Sequence, residues 1–459
     1  MKKISLFLLS AVLVLSLSAC GKDEQRADAP STLSTGQSGT QQQTANAGIT
    51  LLCDGSSSFS NHFGTESGFY YFTQNDKIAD GLFGMHLMYI DYATKKEVYL
   101  CSDSGCRHDS DKCSSVYAQG EFGIDSLPFV WGDSLYVLNR GYDNDGGVSY
   151  ALGGDPSSPE AQADTLYRMA LDGSSREKIY TFPDNITTEK LVFGDGEYLW
   201  FVTKRLETEY DAVGNYTAST DRNLSKYSIE RNEIVDTISL EFGDNIYQTV
   251  IGAAGNSFIL NGVAYPDGMS EKETAKLADE EWKEIYKNSS TVYAALDCEN
   301  KSKTEIYRAD NKAQQSACTV RDGYLYISGG EGIIKIDVFT GEKTPLAALA
   351  QTYIYFTLSD TLCCTSLGEN PDPTLYFVDM KSGETYHSTL TNRSLGWQLD
   401  ILADAGENVL AVYDYDVSEK SSDGAYEIYQ YRYALISKDD LYASRAAGWM
   451  PVEMAGSGK

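Results

Sequence analysis

Val320-Arg321-Asp322-Gly323-Tyr324-Leu325-Tyr326, followed shortly by Ile333-Ile334-Lys335-Ile336-Asp337 and Gly341, is the stretch on which the fold turns. An apolar strand runs into Asp-Gly, and a strand of Leu and Tyr leaves it. A second alternating strand then ends on Asp, with Gly a few residues beyond. Period-two alternation broken by Asp and Gly is the pattern of a β-hairpin. Two hairpins in succession make four antiparallel strands.

The same pair recurs along the chain. The first hairpin type returns from Phe59 to Phe72, from Phe129 through Gly132 to Tyr136, and from Leu191 through Asp195 and Gly196 to Trp200. It returns again from Val250 through Gly255 to Leu260, from Tyr355 through Asp360 to Leu362, and from Ile401 through Gly406 to Leu410. The second type lies at Leu87–Asp91, Leu166–Gly173, Val292–Asp297 and Leu375–Asp379, with weaker copies at Leu224–Glu230 and Ile428–Leu435. Radial repetition of four-stranded sheets makes a β-propeller. The expected fold is therefore all-β, a ring of about seven blades with a mean period of about 55 residues. A β-sandwich rarely needs so many hairpins. The abundant Tyr falls mostly in the repeat, where aromatic rings pack on strands.

One helix interrupts the pattern. Ser270-Glu271-Lys272-Glu273 is a capping box, and Ala275, Ala278, Trp282, Ile285 and Tyr286 then share a face. The expectation is a helical insertion across one rim, anchored by Trp282.

The N-terminus reads as an export signal. Lys2 and Lys3 precede an apolar run, Ile4 to Leu17, and Leu17-Ser18-Ala19-Cys20 closes it with small residues and a cysteine. The run is short for a membrane span, which needs about 20 apolar residues. Residues 1–20 are thus expected to be a lipoprotein signal peptide, cleaved before a diacylated Cys20. Residues 21–48, poor in large apolar side chains, are expected to be a disordered tether with a span on the order of 30 Å. Residues 49–459 are the expected propeller domain, held to the cell membrane on its extracytoplasmic side.

Acidic residues number 66 against 37 basic, a net charge of −29, which loss of Lys2 and Lys3 would take to −31. Nucleic acid and anionic lipid need a basic footprint and are poor partners for such a surface. Cationic ligands, metal ions, neutral glycans, peptides and proteins remain open.

Ring topology sorts the loops. Turns within hairpins emerge on one face, and connections between hairpins and between blades on the other. Here the hairpin turns are short, and the connections 102–124, 141–163, 206–221, 266–290 and 416–425 are long. Long loops that share one face of a rigid scaffold are where binding concentrates. Tyr142, Asp143, Asp145 and Tyr150 (with Asp155) occupy one, and Glu209, Tyr210, Asp211 and Tyr216 (with Glu207 and Asn215) another. Carboxylates beside aromatic rings suit sugar binding, and the same residues suit a solvated acidic surface equally well. Asp143-Asn144-Asp145-Gly146 begins like a calcium loop, but no spaced Glu completes it.

Cys101, Cys106, His108 and Cys113 form C-x4-C-x-H-x4-C. Three thiols and an imidazole are a sufficient ligand set for a structural zinc ion. A disulfide is the competing reading for an exported chain, with the third thiol left over, for example to Cys53. In either case the cluster is expected to staple a connection between blades. The vicinal Cys363 and Cys364 sit in a strand and read as small apolar packing residues. A quinone-dependent dehydrogenase would need recurrent Trp docking positions, and the chain has five Trp in all.

Tyr89-Ile90-Asp91, the Leu100-Cys101 pair and the Cys106-x-His108-x4-Cys113 loop, together with the signal peptide and the repeat, resemble a group of uncharacterised β-propeller lipoproteins of Gram-positive anaerobes. The resemblance implies a propeller and a lipid anchor and brings no known activity.

No nucleophile elbow, P-loop or dinucleotide fingerprint appears, and His62, His86 and His387 stand apart in sequence. No catalytic residue is assigned. The leading expectation is a surface propeller that binds a glycan, peptide or partner protein through its long-loop face. The alternative is a glycan hydrolase or lyase, which would need two loop carboxylates about 5–10 Å apart.

Overall fold

The computed structural model describes residues 48–55, 62–73, 76–118, 122, 126–140, 163–183, 185–210, 216–243, 246–274, 277–311, 315–366, 374–418 and 428–455. These form seven antiparallel sheets in chain order: His62–Ala118, Leu127–Thr181, Ile186–Ser239, Tyr247–Asp310, Gln315–Ala347, Thr352–Ser388 and Asp400–Pro451, blades 1 to 7. Among the described residues each hairpin named from the sequence is found (that of Phe59 to Phe72 from His62 onward), the first type as strands one and two of a blade and the second as strand three and the turn to strand four.

The Asp that ends the third strand has a physical role. Its carboxylate accepts backbone N–H groups of the turn that follows: Asp337 from Phe339 and Thr340 at 2.9 Å each, Asp379 from Lys381 at 3.1 Å, Asp297 from Asn300 at 2.8 Å. The residue that reverses the chain then takes a positive φ, as at Gly341 and Gly383. This is an Asx-turn, and it explains why Asp and Gly recur at this spacing.

Strand alternation gives each sheet two apolar faces, and each face meets a neighbouring blade. Seven clusters result, one for each junction. Phe72, Leu87 and Tyr117 of blade 1 pack on Leu135 and Tyr167 of blade 2, and Phe193 and Trp200 of blade 3 on Phe258 and Leu296 of blade 4. Cys363 lies in the junction of blades 6 and 7, and Cys364, next along the strand, in that of blades 5 and 6. Both are fully buried, in keeping with their reading as packing residues. The seventh junction joins Phe69, Tyr71 and Ile90 of blade 1 to Leu402, Leu410 and Leu435 of blade 7 and closes the ring.

Closure also uses the C-terminal segment. Glu453 accepts the Glu97 N–H at 2.9 Å and donates its own N–H to Lys95 at 2.8 Å, and the Glu97 carboxylate accepts the Ala455 N–H at 2.7 Å. The Tyr71 hydroxyl donates to the other Glu97 oxygen.

Two blades carry more than four strands. Blade 3 gains β1 (Thr50–Asp54), which pairs antiparallel with its innermost strand, Thr50 opposite Gly194 and Asp54 opposite Leu191. β1 also touches the innermost strands of blades 2 and 4, so it lies inside the ring. Ile49 is buried in the junction of blades 3 and 4, and Cys53 in that of blades 2 and 3. The Ile49 N–H donates to Gly255 at 2.7 Å, in a first-hairpin turn, so the chain enters on the turn face. A Cβ on Gly48 would stand 2.3 Å from the Gly255 oxygen, so this close approach requires glycine.

Blade 1 has six strands: β2 (His62–Gly64), β3 (Gly68–Phe72), β4 (Asp76–Ala79), β5 (Leu82–Asp91), β6 (Lys96–Tyr99) and β7 (Val116–Ala118). The long β5 pairs with β3 and β4 along one edge and with β6 and β7 along the other. The cysteine-rich loop interrupts this outer edge between β6 and β7. Its expected place between blades is therefore corrected: the loop is an insertion within blade 1.

Two other expectations change. Of the 206–221 stretch, the described residues 206–210 and 216–221 are strand: Tyr198–Tyr210 and Tyr216–Ser228 form one long ladder that continues to the pair Tyr210–Tyr216. The single helix is two, α1 (Glu271–Thr274) and α2 (Asp279–Lys287). The capping box of α1 is present, with Ser270 N–H donating to Glu273 at 2.8 Å. Trp282 stacks on Tyr286 at 5.1 Å and is only half-buried, so it does not anchor the insertion in a core.

Candidate functional site

The Cys101, Cys106, His108 and Cys113 side chains converge, with their ligand atoms all within 4.8 Å of one another. His108 Nδ1 lies 3.3 Å from Cys113 Sγ, and the His108 N–H donates to Cys106 Sγ at 3.4 Å. His108 reaches this geometry with φ +58°, in the left-handed region. Its ring stacks on Tyr99 at 4.3 Å. Burial works against the Cys101 thiolate, but hydrogen bonds from the Asp103 backbone and the Ser114 hydroxyl outweigh it and hold that thiol below its usual value. Burial, with the neighbouring thiols, pushes the Cys106 thiol up to about 12. Tetrahedral zinc, with Zn–S of about 2.3 Å, needs ligand atoms within about 4 Å of one another, so the group fits such an ion with small adjustments.

No disulfide joins the described cysteines. Cys53, the candidate partner for a leftover thiol, lies on β1 and is buried in a cluster with Leu127 and Phe129, separate from the loop.

A second layer supports the loop, and sequence spacing did not reveal it. His86, on β5, is buried; its Nε2 lies 2.9 Å from the His108 carbonyl oxygen and its Nδ1 2.6 Å from Asp76 Oδ2, on β4. The β4–β5 hairpin brings Asp76 and His86 together across ten residues, which is why His86 reads as isolated.

Tyr142, Asp143, Asp145, Tyr150 and Asp155 lie outside the described residues, as do Asp211 and Cys20. Glu209 and Tyr210 end one long strand of blade 3 and Tyr216 begins its partner. The root of the 141–163 connection is fixed. Arg140 Nε donates to the Thr188 carbonyl at 2.9 Å, and Asp164 accepts the Thr188 N–H and hydroxyl at 2.5 and 2.6 Å. All three residues are buried, so both ends of that connection are tied to one residue of blade 3.

A different set of aromatic and acidic residues meets on the connection face at blade 7, where Tyr415 also packs toward blade 1. The Tyr415 hydroxyl donates to Asp400 Oδ2 at 2.7 Å, and the Trp397 and Tyr415 rings lie 6.0 Å apart. Burial pushes the Asp400 carboxyl above its ordinary range, against the Tyr415 hydrogen bond. Glu97 is likewise raised by burial but sits on the outer strand of blade 1. A pocket of about 360 Å³ lies elsewhere, against the outer strand of blade 4, lined by Tyr265, Met269, Lys303, Glu305 and Arg308 among others.

No family model matches the chain, and no curated protein matches it. Solved structures similar to it include the acylaminoacyl peptidase of Pyrococcus horikoshii, at 11% identity and a TM-score of 0.42, covering 81% of this chain and 51% of that one. Dipeptidyl peptidase 4 of Porphyromonas gingivalis is similar at 10% identity and a TM-score of 0.40, covering 82% and 50%. TolB of Acinetobacter baumannii is similar at 11% identity and a TM-score of 0.30, covering 81% and 77%. The chain thus spans about half the length of the two peptidases. Among the described residues no helix is long and apolar enough to cross a membrane.

Proposed function

We propose that the chain is an extracytoplasmic lipoprotein, anchored at Cys20, whose propeller binds a glycan, peptide or partner protein on its connection face. The path of β1 carries this reading. The chain reaches the ring on the turn face, where Ile49 bonds to Gly255, and runs inward along blade 3. A lipid at Cys20 would therefore pull on the turn face and leave the connection face directed away from the membrane. The short, Asx-capped turns suit the membrane side, and the long connections suit ligand recognition.

The cysteine-rich loop, in this reading, holds a structural zinc ion through Cys101, Cys106, His108 and Cys113. The ion would supply cross-linking strength to a short, largely irregular insertion that has only a small apolar cluster of its own, Ile78, Cys113 and Val116 with their neighbours.

Replacing Cys20 by Ala tests the anchor. The expected result is release of folded protein into the medium; a variant that stays with the membrane fraction would overturn the reading.

A further inference from the structure

At the junction of blades 6 and 7 the connection face carries two large rings that the fold leaves open to water. Trp397 is 48% exposed and Tyr353 41%. Tyr353 lies near the connection-face end of the innermost strand of blade 6, opposite Thr365. The Thr365 hydroxyl donates to Gln398 Oε1 at 2.5 Å, and Gln398 follows Trp397. The Trp397 ring meets Tyr415, whose hydroxyl holds Asp400 at the start of the innermost strand of blade 7. These contacts link Tyr353 to Asp400 at the connection-face ends of blades 6 and 7.

The polar groups of the patch are underused. Among the described residues Asp400 accepts a single hydrogen bond, from Tyr415. The Tyr355 hydroxyl, shielded from water and within the electrostatic reach of Asp400, makes none. A buried polar atom without a partner is costly, and such atoms mark places where a ligand or water completes the set.

We propose that Trp397 and Tyr353 are the stacking surface of a saccharide subsite, with Asp400, Gln398 and Tyr415 bonding the hydroxyls of the sugar. Stacking uses the apolar face of a pyranose, and the amide and phenol supply donors and acceptors at its edge. Burial raises the Asp400 carboxyl above its ordinary range, and in either protonation state its oxygens accept hydrogen bonds from sugar hydroxyls. The inference rests on the reading of the connection face as the ligand-binding face and names one ligand class and one place on it.

The test uses detergent-solubilised full-length protein titrated with cellohexaose, xylohexaose, mannohexaose and chitohexaose, followed by tryptophan fluorescence and calorimetry. At least one oligosaccharide is expected to bind and to change the fluorescence. Trp397→Ala should abolish that change and weaken binding about tenfold or more, and Trp397→Phe should retain most of the affinity. Asp400→Ala should also weaken binding, with near-ultraviolet dichroism confirming that each variant is folded. Binding unchanged in folded Trp397→Ala and Asp400→Ala would overturn the subsite. So would failure of all four oligosaccharides, or binding of choline in their place. A peptide or protein ligand cross-linked on the connection face would then still uphold the wider reading, whereas a ligand held on the turn face would overturn both.

Discussion

Glu97 is a carboxyl placed where the ring must close. It is 6% exposed, takes hydrogen bonds from the Tyr71 hydroxyl and the Ala455 N–H, and is raised above its ordinary value of 4.5 because desolvation outweighs those bonds. A raised folded value means that the folded state holds the proton more tightly than the unfolded chain. The stabilisation it brings is complete below pH 4.5 and is lost as pH rises through the folded value. Glu97→Gln removes that dependence while keeping an acceptor for the Ala455 N–H; its amide nitrogen would donate to the Tyr71 hydroxyl, which in the parent donates to the carboxyl. The melting temperature of Glu97→Gln relative to the parent is therefore expected to rise between pH 4 and pH 8, measured by thermal unfolding in matched buffers. A difference that stays constant, or falls, would show that the ionised carboxylate is the better partner at this junction. The recurrent Asp of the third strands was legible in the sequence because its role is local, two or three residues from its partners. Glu97 was not, because Ala455 lies at the far end of the chain and only closure brings the two together.

β1 and the cysteine-rich loop are the two elements that depart from a plain four-stranded repeat, and both escaped the repeat pattern for the same reason. A strand of five residues with no hairpin partner nearby carries no period, and its partner, Ile186–Gly194, is more than a hundred residues away. The four ligand residues of the loop were readable, since they fall within thirteen positions, but their place was not: β7 returns to β5 after the loop, which no local spacing announces. Burial of Ile49 in the junction of blades 3 and 4 makes β1 part of the core. Ile49→Ala is expected to lower stability by about 2–4 kcal/mol, from lost transfer energy and a residual cavity. A change under ~0.5 kcal/mol in denaturant unfolding would mean that β1 is not held in the ring. For the loop, zinc is expected at about one equivalent per chain in the purified protein. The ion should protect Cys101, Cys106 and Cys113 from alkylation in the folded state and be lost in Cys113→Ser. Metal analysis that finds none, with mass spectrometry showing a bridged pair, would favour the disulfide instead.

At the scale of the whole molecule, seven apolar junctions without a gap make the ring one packed body, and in the proposed reading the path of β1 sets which way that body faces. Blade number and chain order were legible because each blade repeats one local pattern. The connection face, proposed above to present the ligand, was legible as a topological rule. The residues of the proposed subsite were not: the Trp397, Asp400 and Tyr415 group is assembled from a connection and two strands, and the described parts of the 206–221 stretch that looked like a loop are paired strands. The orientation can be measured directly. A fluorophore on a non-natural residue at Asn256, in an exposed turn next to the Gly255 that receives Ile49, is compared with one at Glu331, exposed on the opposite face between the second and third strands of blade 5. With the lipidated protein in vesicles that carry a headgroup quencher, the fluorophore at position 256 should be quenched more strongly than that at 331. Equal quenching, or stronger quenching at 331, would contradict the proposed outward display of the connection face.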